Sequence, residues 1–305
     1  MNVLRDDVIV LEMNYQKKRI RPDWLKIKLD TSKSFKKTQK LIRDQGLNTV
    51  CEEARCPNIY ECWGRNTATI MILGDTCTRS CGFCSVKTGN PNKIDMEEPI
   101  RTAQAVKSMQ LQHVVITSVD RDDLKNDYGA KIWYETIEAI RRHVPGCTIE
   151  VLTPDFRNYA PSYERVFQAN PDIFSHNIEC VKRISKRVRP QSNWMRSISI
   201  LKESVKWGLE TKTGMMVGLG ENDDEVLETM QESLDLGISI FNIGQYLQPT
   251  IKNLEVQRYV HPDIFALYKE KGLKMGFRVV ESGPLVRSSY HADMQVRQLN
   301  ENNNY

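Results

Sequence analysis

Six of the eight cysteines in this 305-residue chain fall in one short window, Cys51, Cys56, Cys62, Cys77, Cys81 and Cys84, while Cys147 and Cys180 stand alone. Closely spaced thiols in a non-secreted chain hold metal or carry redox chemistry more often than they form disulfides. The later trio, Cys77-x3-Cys81-x2-Cys84, has no obvious fourth partner. Iron–sulfur clusters are normally held by four thiolates, so three leave one iron open to an outside ligand. The zinc alternative fits poorly, because structural zinc prefers paired two-residue spacings and a closed set of four ligands. The earlier trio, Cys51-x4-Cys56-x5-Cys62, reads as a second cluster. Three buried structural cysteines are the other reading, but Cys51-Glu52-Glu53-Ala54-Arg55-Cys56 is too polar a run for a core.

The elements that must position these thiols follow from Thr67 onward, where short β-branched runs alternate with amphipathic helical stretches, the pattern of βα units and a parallel sheet. Expected strands are Thr67–Leu73, His113–Val119, Thr148–Leu152, Ile173–Ile178, Thr211–Val217 and Ile238–Gly244. Helices are expected over Ile132–His143, where Trp133, Ile137 and Ile140 share a face, and over Met195–Trp207. Six such units with right-handed crossovers give an α/β fold, an incomplete (β/α)6 TIM-like barrel with an open side. Its chemistry belongs at the carboxyl ends of the strands, which is where Cys77, Cys81 and Cys84 follow the first strand. Residues 1–66 form an N-terminal extension carrying the earlier trio, 67–250 the barrel, and 251–305 a C-terminal helix (His261–Gly272) and an extended tail (Arg278–Asp293). The last residues, 300–305, are expected to be disordered.

The composition is that of a globular protein, with 40% hydrophobic and 27% charged residues. A net charge of +4 from 43 basic and 39 acidic residues gives no nucleic-acid footprint, and no apolar run reaches membrane-spanning length. Met1 to Arg21 lacks the apolar centre of a secretory signal, and Asp6, Asp7 and Glu12 argue against a transit peptide, so a cytoplasmic location of prokaryotic type is expected.

The x3/x2 spacing with Phe83 before the last cysteine resembles the cluster motif of the radical S-adenosylmethionine (SAM) superfamily, in which the open iron chelates the amino and carboxylate groups of SAM. More particularly, Cys51-Glu52-Glu53-Ala54-Arg55-Cys56-Pro57-Asn58 and Glu61-Cys62-Trp63 resemble the auxiliary-cluster motif of the lipoyl synthase family. The likeness runs from Arg21-Pro22-Asp23-Trp24-Leu25 through Gly244-Gln245-Tyr246-Leu247-Gln248-Pro249 to Gly283-Pro284-Leu285-Val286-Arg287-Ser288-Ser289-Tyr290. It implies a sulfurtransferase of lipoate biosynthesis and protein lipoylation with two 4Fe-4S clusters, which inserts two sulfur atoms at C6 and C8 of an octanoyl chain held on a lysine of a carrier protein. It implies one SAM per sulfur, an auxiliary cluster that itself gives up the sulfur, and Ser289 as that cluster's fourth ligand. A hard oxygen on a cluster otherwise held by soft thiolates is a ligand mismatch, and this bond is expected to open when the cluster is dismantled. Without the resemblance, Ser288-Ser289 reads as a solvated loop. The same likeness implies an octanoylated carrier domain, an electron donor such as ferredoxin or flavodoxin, and a cluster-repair protein as partners.

For SAM itself, the superfamily implies contacts from Phe83 near the adenine and from Ser118, Asp120, Arg121 and Asp122 after the second strand; those residues also read as an ordinary helix cap. Glu150, Asn177, Glu179 and Arg189 are further candidates, each of which also reads as a paired structural charge or polar group. Gly218 and Gly220 match the family in a stretch that also reads as a tight turn. Cys147 and Cys180 read as structural, and His176 reads as a satisfied core residue, with a place in the site as the other reading. Lys252-Asn253 departs from the family, where histidine is frequent, and puts only a minor loop role in doubt. Two rival functions stand beside this one: another radical SAM sulfur-inserting enzyme, and a non-catalytic zinc-binding protein.

Overall fold

The computed structural model describes residues 21–27, 32–64 and 68–302. The expectations for Met1 to Ile20, and for Asn303 to Tyr305 at the other end, lie outside the described residues.

The strands are β1 (Asn48–Thr49), β2 (Thr69–Ile72), β3 (Thr76–Cys77), β4 (Lys87–Thr88), β5 (His113–Ser118), β6 (Thr148–Leu152), β7 (Ile173–Ser175), β8 (Thr211–Val217), β9 (Ile240–Gln245) and β10 (Val279–Gly283). Eight of them make one sheet in the order β1-β2-β5-β6-β7-β8-β9-β10, while β3 and β4 pair apart. Only β1 is antiparallel to its neighbour; the remaining seven run parallel. All six expected barrel strands are present. The runs are almost continuously buried, as in Thr69–Ile72 and Ile240–Gln245, because a parallel sheet is covered on both faces. Among the described residues β1 and β10 end the sheet without pairing to each other, so the barrel stays open.

The expected helices form at Ala130–His143, Trp194–Trp207 and Pro262–Met275. Their ends follow local chemistry. Asn193 caps the second through Met195 N, and Gly208, at φ 90°, stops it in the left-handed region. The helix Asp223–Asp235 opens with a capping box between Asn222 and Glu225.

The C-terminal part departs from an extended tail in two ways. Val279 and Val280 add β10 to the free edge of β9, in register with Ile240 and Phe241. A helix then spans Ala292–Asn302, so 300–302 are helical where disorder was expected. Leu299 and Val296 of that helix pack on Ile173, Ile240 and Val279, the first residues of β7, β9 and β10. The helix therefore plugs the amino end of the barrel, and burying those apolar side chains is what holds it there.

Candidate active site

A cavity of about 590 Å³ opens at the carboxyl ends of the strands. Both cysteine trios line it, along with Ser289 and Arg287. That shared chamber is the central fact of the site.

Cys77 ends β3, and its loop is anchored by Arg79, whose side chain is buried at 2% exposure. Arg79 reaches Asp122 at 2.8 Å, Asp155 at 2.6 Å and Asp120 at 3.1 Å. Burial opposes its charge, but the carboxylates of Asp122, Asp120 and Asp155 outweigh that and raise its pKa. In return Arg79 holds the Asp155 carboxyl below its ordinary range despite burial. Asp120 is pushed up to about 6 by desolvation, with Arg79 opposing, and its backbone N–H points at the Cys77 sulfur over 3.4 Å. On the other side of the loop, Asn253 donates to the Cys84 carbonyl at 2.8 Å, so the position that departs from the family does clamp the loop. Ser85 donates to the Glu53 carbonyl at 2.7 Å and ties the two cysteine segments together.

Cys51 and Cys62 of the earlier trio sit on two short helices, Val50–Glu53 and Ile59–Gly64, with Cys56 in the connection between them, and the C-terminal segment docks on this region. Asn58 donates to the Leu285 carbonyl at 2.7 Å, and Thr69 donates to the Ser289 hydroxyl at 2.6 Å. Tyr290 and His291 both meet the Glu61 carboxylate, at 3.1 and 3.2 Å. Between these anchors the segment crosses the cavity. Asn242 on β9 donates to the Ser288 carbonyl at 3.0 Å, and Asn177 donates to the Ser288 hydroxyl at 2.6 Å. Gly244 makes room for this path: any Cβ there collides with the Val286 carbonyl. The tail thus bridges β10 back to β2 across the open side.

Burial pushes the Cys51 and Cys77 thiols up to about 11 and raises those of Cys56, Cys81 and Cys84. Arg287 partly offsets this at Cys56. Metal uptake by such thiols must release protons. Among the described residues no three His, Cys, Asp or Glu side chains converge to hold a single ion, whereas a four-iron core takes one thiolate at each of several separate corners. The donor set of three thiolates per trio, with a hydroxyl added at the earlier one, fits two such cores.

Orphaned polar atoms mark where a polar ligand belongs. Among the described residues Asn177 Oδ1, Asn242 Oδ1, Thr153 Oγ1 and Arg189 Nε are buried without partners, and all four residues line the cavity. Buried polar groups without partners are costly, so donors and acceptors aimed into one chamber fit a zwitterionic, hydroxyl-rich molecule such as SAM. Glu179 stands at φ 68°, bridged to Met215, a left-handed geometry that a non-glycine residue adopts at some cost. Burial raises its pKa against Arg189. Arg189 in turn is held by the Asn177 carbonyl at 3.2 Å and by Ser197 at 3.1 Å.

Of the residues expected to bind SAM, Phe83, Ser118, Asp120, Asn177, Glu179 and Arg189 line the cavity; Arg121, Asp122 and Glu150 do not. Arg121 binds Asp123 and the Leu73 carbonyl, and Asp122 serves the Arg79 clamp. Glu150 pairs with Lys212 at 2.9 Å, both fully buried. His176 lines the cavity as well, with both ring nitrogens engaged by the protein: its Nδ1 donates to the Thr153 carbonyl at 2.8 Å, and its Nε2 meets Ser197 at 2.9 Å. Sequence reasoning missed Arg79, Asp155, Thr69, Asn242 and Glu61. An arginine set between two cluster cysteines was the one local signal available.

Comparison with known proteins follows the same lines. Residues 71–232 match the radical SAM superfamily model, and residues 6–56 match the N-terminal domain of lipoyl synthase. The lipoyl synthase of Oceanobacillus iheyensis is 54% identical over 93% of this chain and 91% of its own length. That of Rubrobacter xylanophilus is 53% identical over 90% and 86%. Among solved structures, methylornithine synthase superposes with a TM-score of 0.53 over 80% of this chain and 82% of its own, at 12% identity, a likeness of fold alone.

Proposed function

The chain belongs to the lipoyl synthase family of the radical SAM superfamily, and from that membership we infer which residues perform which part of the reaction. It is a radical SAM sulfur-inserting enzyme, and its substrate is an octanoyl chain on a lipoyl carrier protein. When bound, SAM and the two 4Fe-4S clusters supply the electron, the carbon-centred radical chemistry and the sulfur inserted at C6 and C8.

Cys77, Cys81 and Cys84 hold the cluster that binds SAM, and Arg79 fixes their loop through its three carboxylates. Ser118, Asp120, Asn177, Glu179 and Arg189 face the polar parts of SAM, with Phe83 near the adenine. Arg121, Asp122 and Glu150 act behind this layer, since their partners lie in the protein. Cys51, Cys56, Cys62 and Ser289 hold the auxiliary cluster, a reading supported by the docking of the C-terminal segment on that trio. Met71, Val115, Leu152, Met215 and Met216 give the chamber an apolar wall for the octanoyl chain. The observation that carries this reading is that both trios and Ser289 face one chamber, so a substrate carbon can be offered to a radical and a sulfur source without leaving it.

The three-part division at residues 66 and 250, a cytoplasmic location, a ferredoxin or flavodoxin as reductant and a repair protein for the auxiliary cluster belong to the same proposal. No helix among the described residues is long and apolar enough to cross a membrane. The test is anaerobic incubation of reconstituted protein with an octanoyl-lysine peptide, SAM and dithionite, followed by mass measurement. A gain of two sulfurs is expected; an unchanged peptide beside free 5′-deoxyadenosine overturns the sulfur-insertion reading.

A further inference from the structure

The segment Lys182-Arg183-Ile184-Ser185-Lys186-Arg187-Val188-Arg189 follows β7 and carries five cations in eight residues, a strip that motif reading passed over. Arg189 turns inward to the cavity, while Lys182, Arg183, Lys186 and Arg187 are exposed and take no part in its lining. Glu225 neutralises Arg183 at 2.6 Å. Lys186 and Arg187 reach only main-chain carbonyls, of Pro190 and Leu219, and among the described residues Lys182, Lys186 and Arg187 pair with no carboxylate.

This strip backs directly onto the loop of the later trio. The Val188 carbonyl accepts from Gly82 N at 2.9 Å, and the Gln191 side chain accepts from Ser80 N. From the other side Leu254 N donates to the Gly82 carbonyl at 2.9 Å, and the same loop puts Ile251 into solvent at 95% exposure, with Lys252 exposed beside it. The cavity reaches the surface elsewhere, at the exposed residues Arg21, Ile27 and Arg55. A protein seated on the strip touches the backing of the cluster loop, and none of Lys182, Lys186, Arg187, Ile251 and Lys252 lines the cavity.

Resting on the reading that Cys77, Cys81 and Cys84 hold a redox cluster, we propose that Lys182, Lys186 and Arg187, with Ile251 and Lys252 at the rim, form the docking surface for an acidic one-electron-donor protein. In the docked pair one electron leaves the donor, which is oxidised, and enters the four-iron cluster, which is reduced; no bond forms or breaks. Electron transfer falls off steeply with distance, so the short covalent and hydrogen-bonded path from this strip to Cys81 and Cys84 is where a donor gains most. Unpaired surface cations steer an acidic partner and make its association salt-dependent.

The experiment compares wild type with the double variant Lys182→Glu/Lys186→Glu, both reconstituted, using an acidic ferredoxin as probe. Titration of the oxidised ferredoxin at low salt is expected to show about tenfold weaker binding by the variant, with the gap closing at high salt. Formation of 5′-deoxyadenosine is expected to fall similarly with photoreduced ferredoxin and to match wild type with dithionite. Lys182→Gln/Lys186→Gln should fall between the two. Equal ferredoxin affinity overturns the proposal, as does a loss equal for dithionite and ferredoxin, or a loss confined to the KM of an octanoylated carrier domain. Wild type that makes no deoxyadenosine with dithionite counts against the cluster assignment instead, and leaves the ferredoxin titration to decide the docking surface.

Discussion

The Thr69 hydroxyl donates to the Ser289 hydroxyl across 2.6 Å, joining the start of the first barrel strand to a serine 220 residues later in the chain. The Thr69 backbone N–H also points at the Cys51 thiol and lowers its pKa against the burial that raises it. One residue of β2 therefore touches both the C-terminal serine and a thiol of the earlier trio. This shared neighbour supports the proposed place of Ser289 beside the earlier trio.

Ser289→Ala is expected to leave 5′-deoxyadenosine formation within about twofold of wild type while lipoyl product falls at least about a hundredfold, since only the auxiliary site loses a ligand. Product mass and deoxyadenosine measured on the same sample decide it; a variant that still makes lipoyl product removes Ser289 from the sulfur-donor site.

Alanine at Cys77, Cys81 or Cys84 should abolish deoxyadenosine and lower reconstituted iron from about eight to about four per chain. Iron analysis beside the SAM-cleavage assay checks this, and undiminished cleavage contradicts the assignment.

Arg79→Lys is expected to fail nearly as badly as Arg79→Ala, because a single ammonium cannot meet Asp120, Asp122 and Asp155 together. Leaving those carboxylates without their partner costs about 3–5 kcal/mol, seen as a lowered unfolding midpoint in urea together with a selective loss of the later cluster's iron.

Gly244→Ala places a methyl against the Val286 carbonyl and should push the C-terminal segment off β9, at about 1–3 kcal/mol. Sulfur insertion is expected to drop more than tenfold with SAM cleavage largely kept. Equal loss of both activities argues instead for general disorder of the barrel.

Acid should destabilise the fold through two histidines. Burial lowers His113 and His176 from 6.5 to about 4. Between those values the unfolded chain binds more protons than the folded one, so their contribution is present above about pH 6.5 and is lost as pH falls toward 4. Each accounts for about 3 kcal/mol at most. Urea unfolding across this range should show the slope, and His176→Gln should flatten it; an unchanged slope sinks this account of His176.

Much of the architecture was written locally. The x3/x2 and x4/x5 cysteine spacings, the β-branched runs at His113–Ser118 and Thr211–Val217, and the periodic face of Trp133, Ile137 and Ile140 are short-range patterns. Strand and helix periods express themselves within a few residues, which is why those elements lie where the sequence placed them. The resemblance added Ser289 to the earlier trio, which spacing alone left as a loop serine.

Only the tertiary structure decided what surrounds those thiols. The Arg79 clamp draws on Asp120 and Asp155, 41 and 76 residues away, and nothing in the local sequence distinguishes those carboxylates from solvated ones. Likewise Glu150 looked like a cofactor contact until the register of β6, β7 and β8 set it against Lys212, and the path of Val286 to Ser289 across the cavity depends on an open barrel with a glycine at 244. Spacing along the chain fixes which residues can share a cluster, because thiols a few residues apart cannot stray far from one another. Which carboxylate, hydroxyl or cation stands beside that cluster is set by sheet register and chain return, and these exist only once the distant parts of the molecule have packed together.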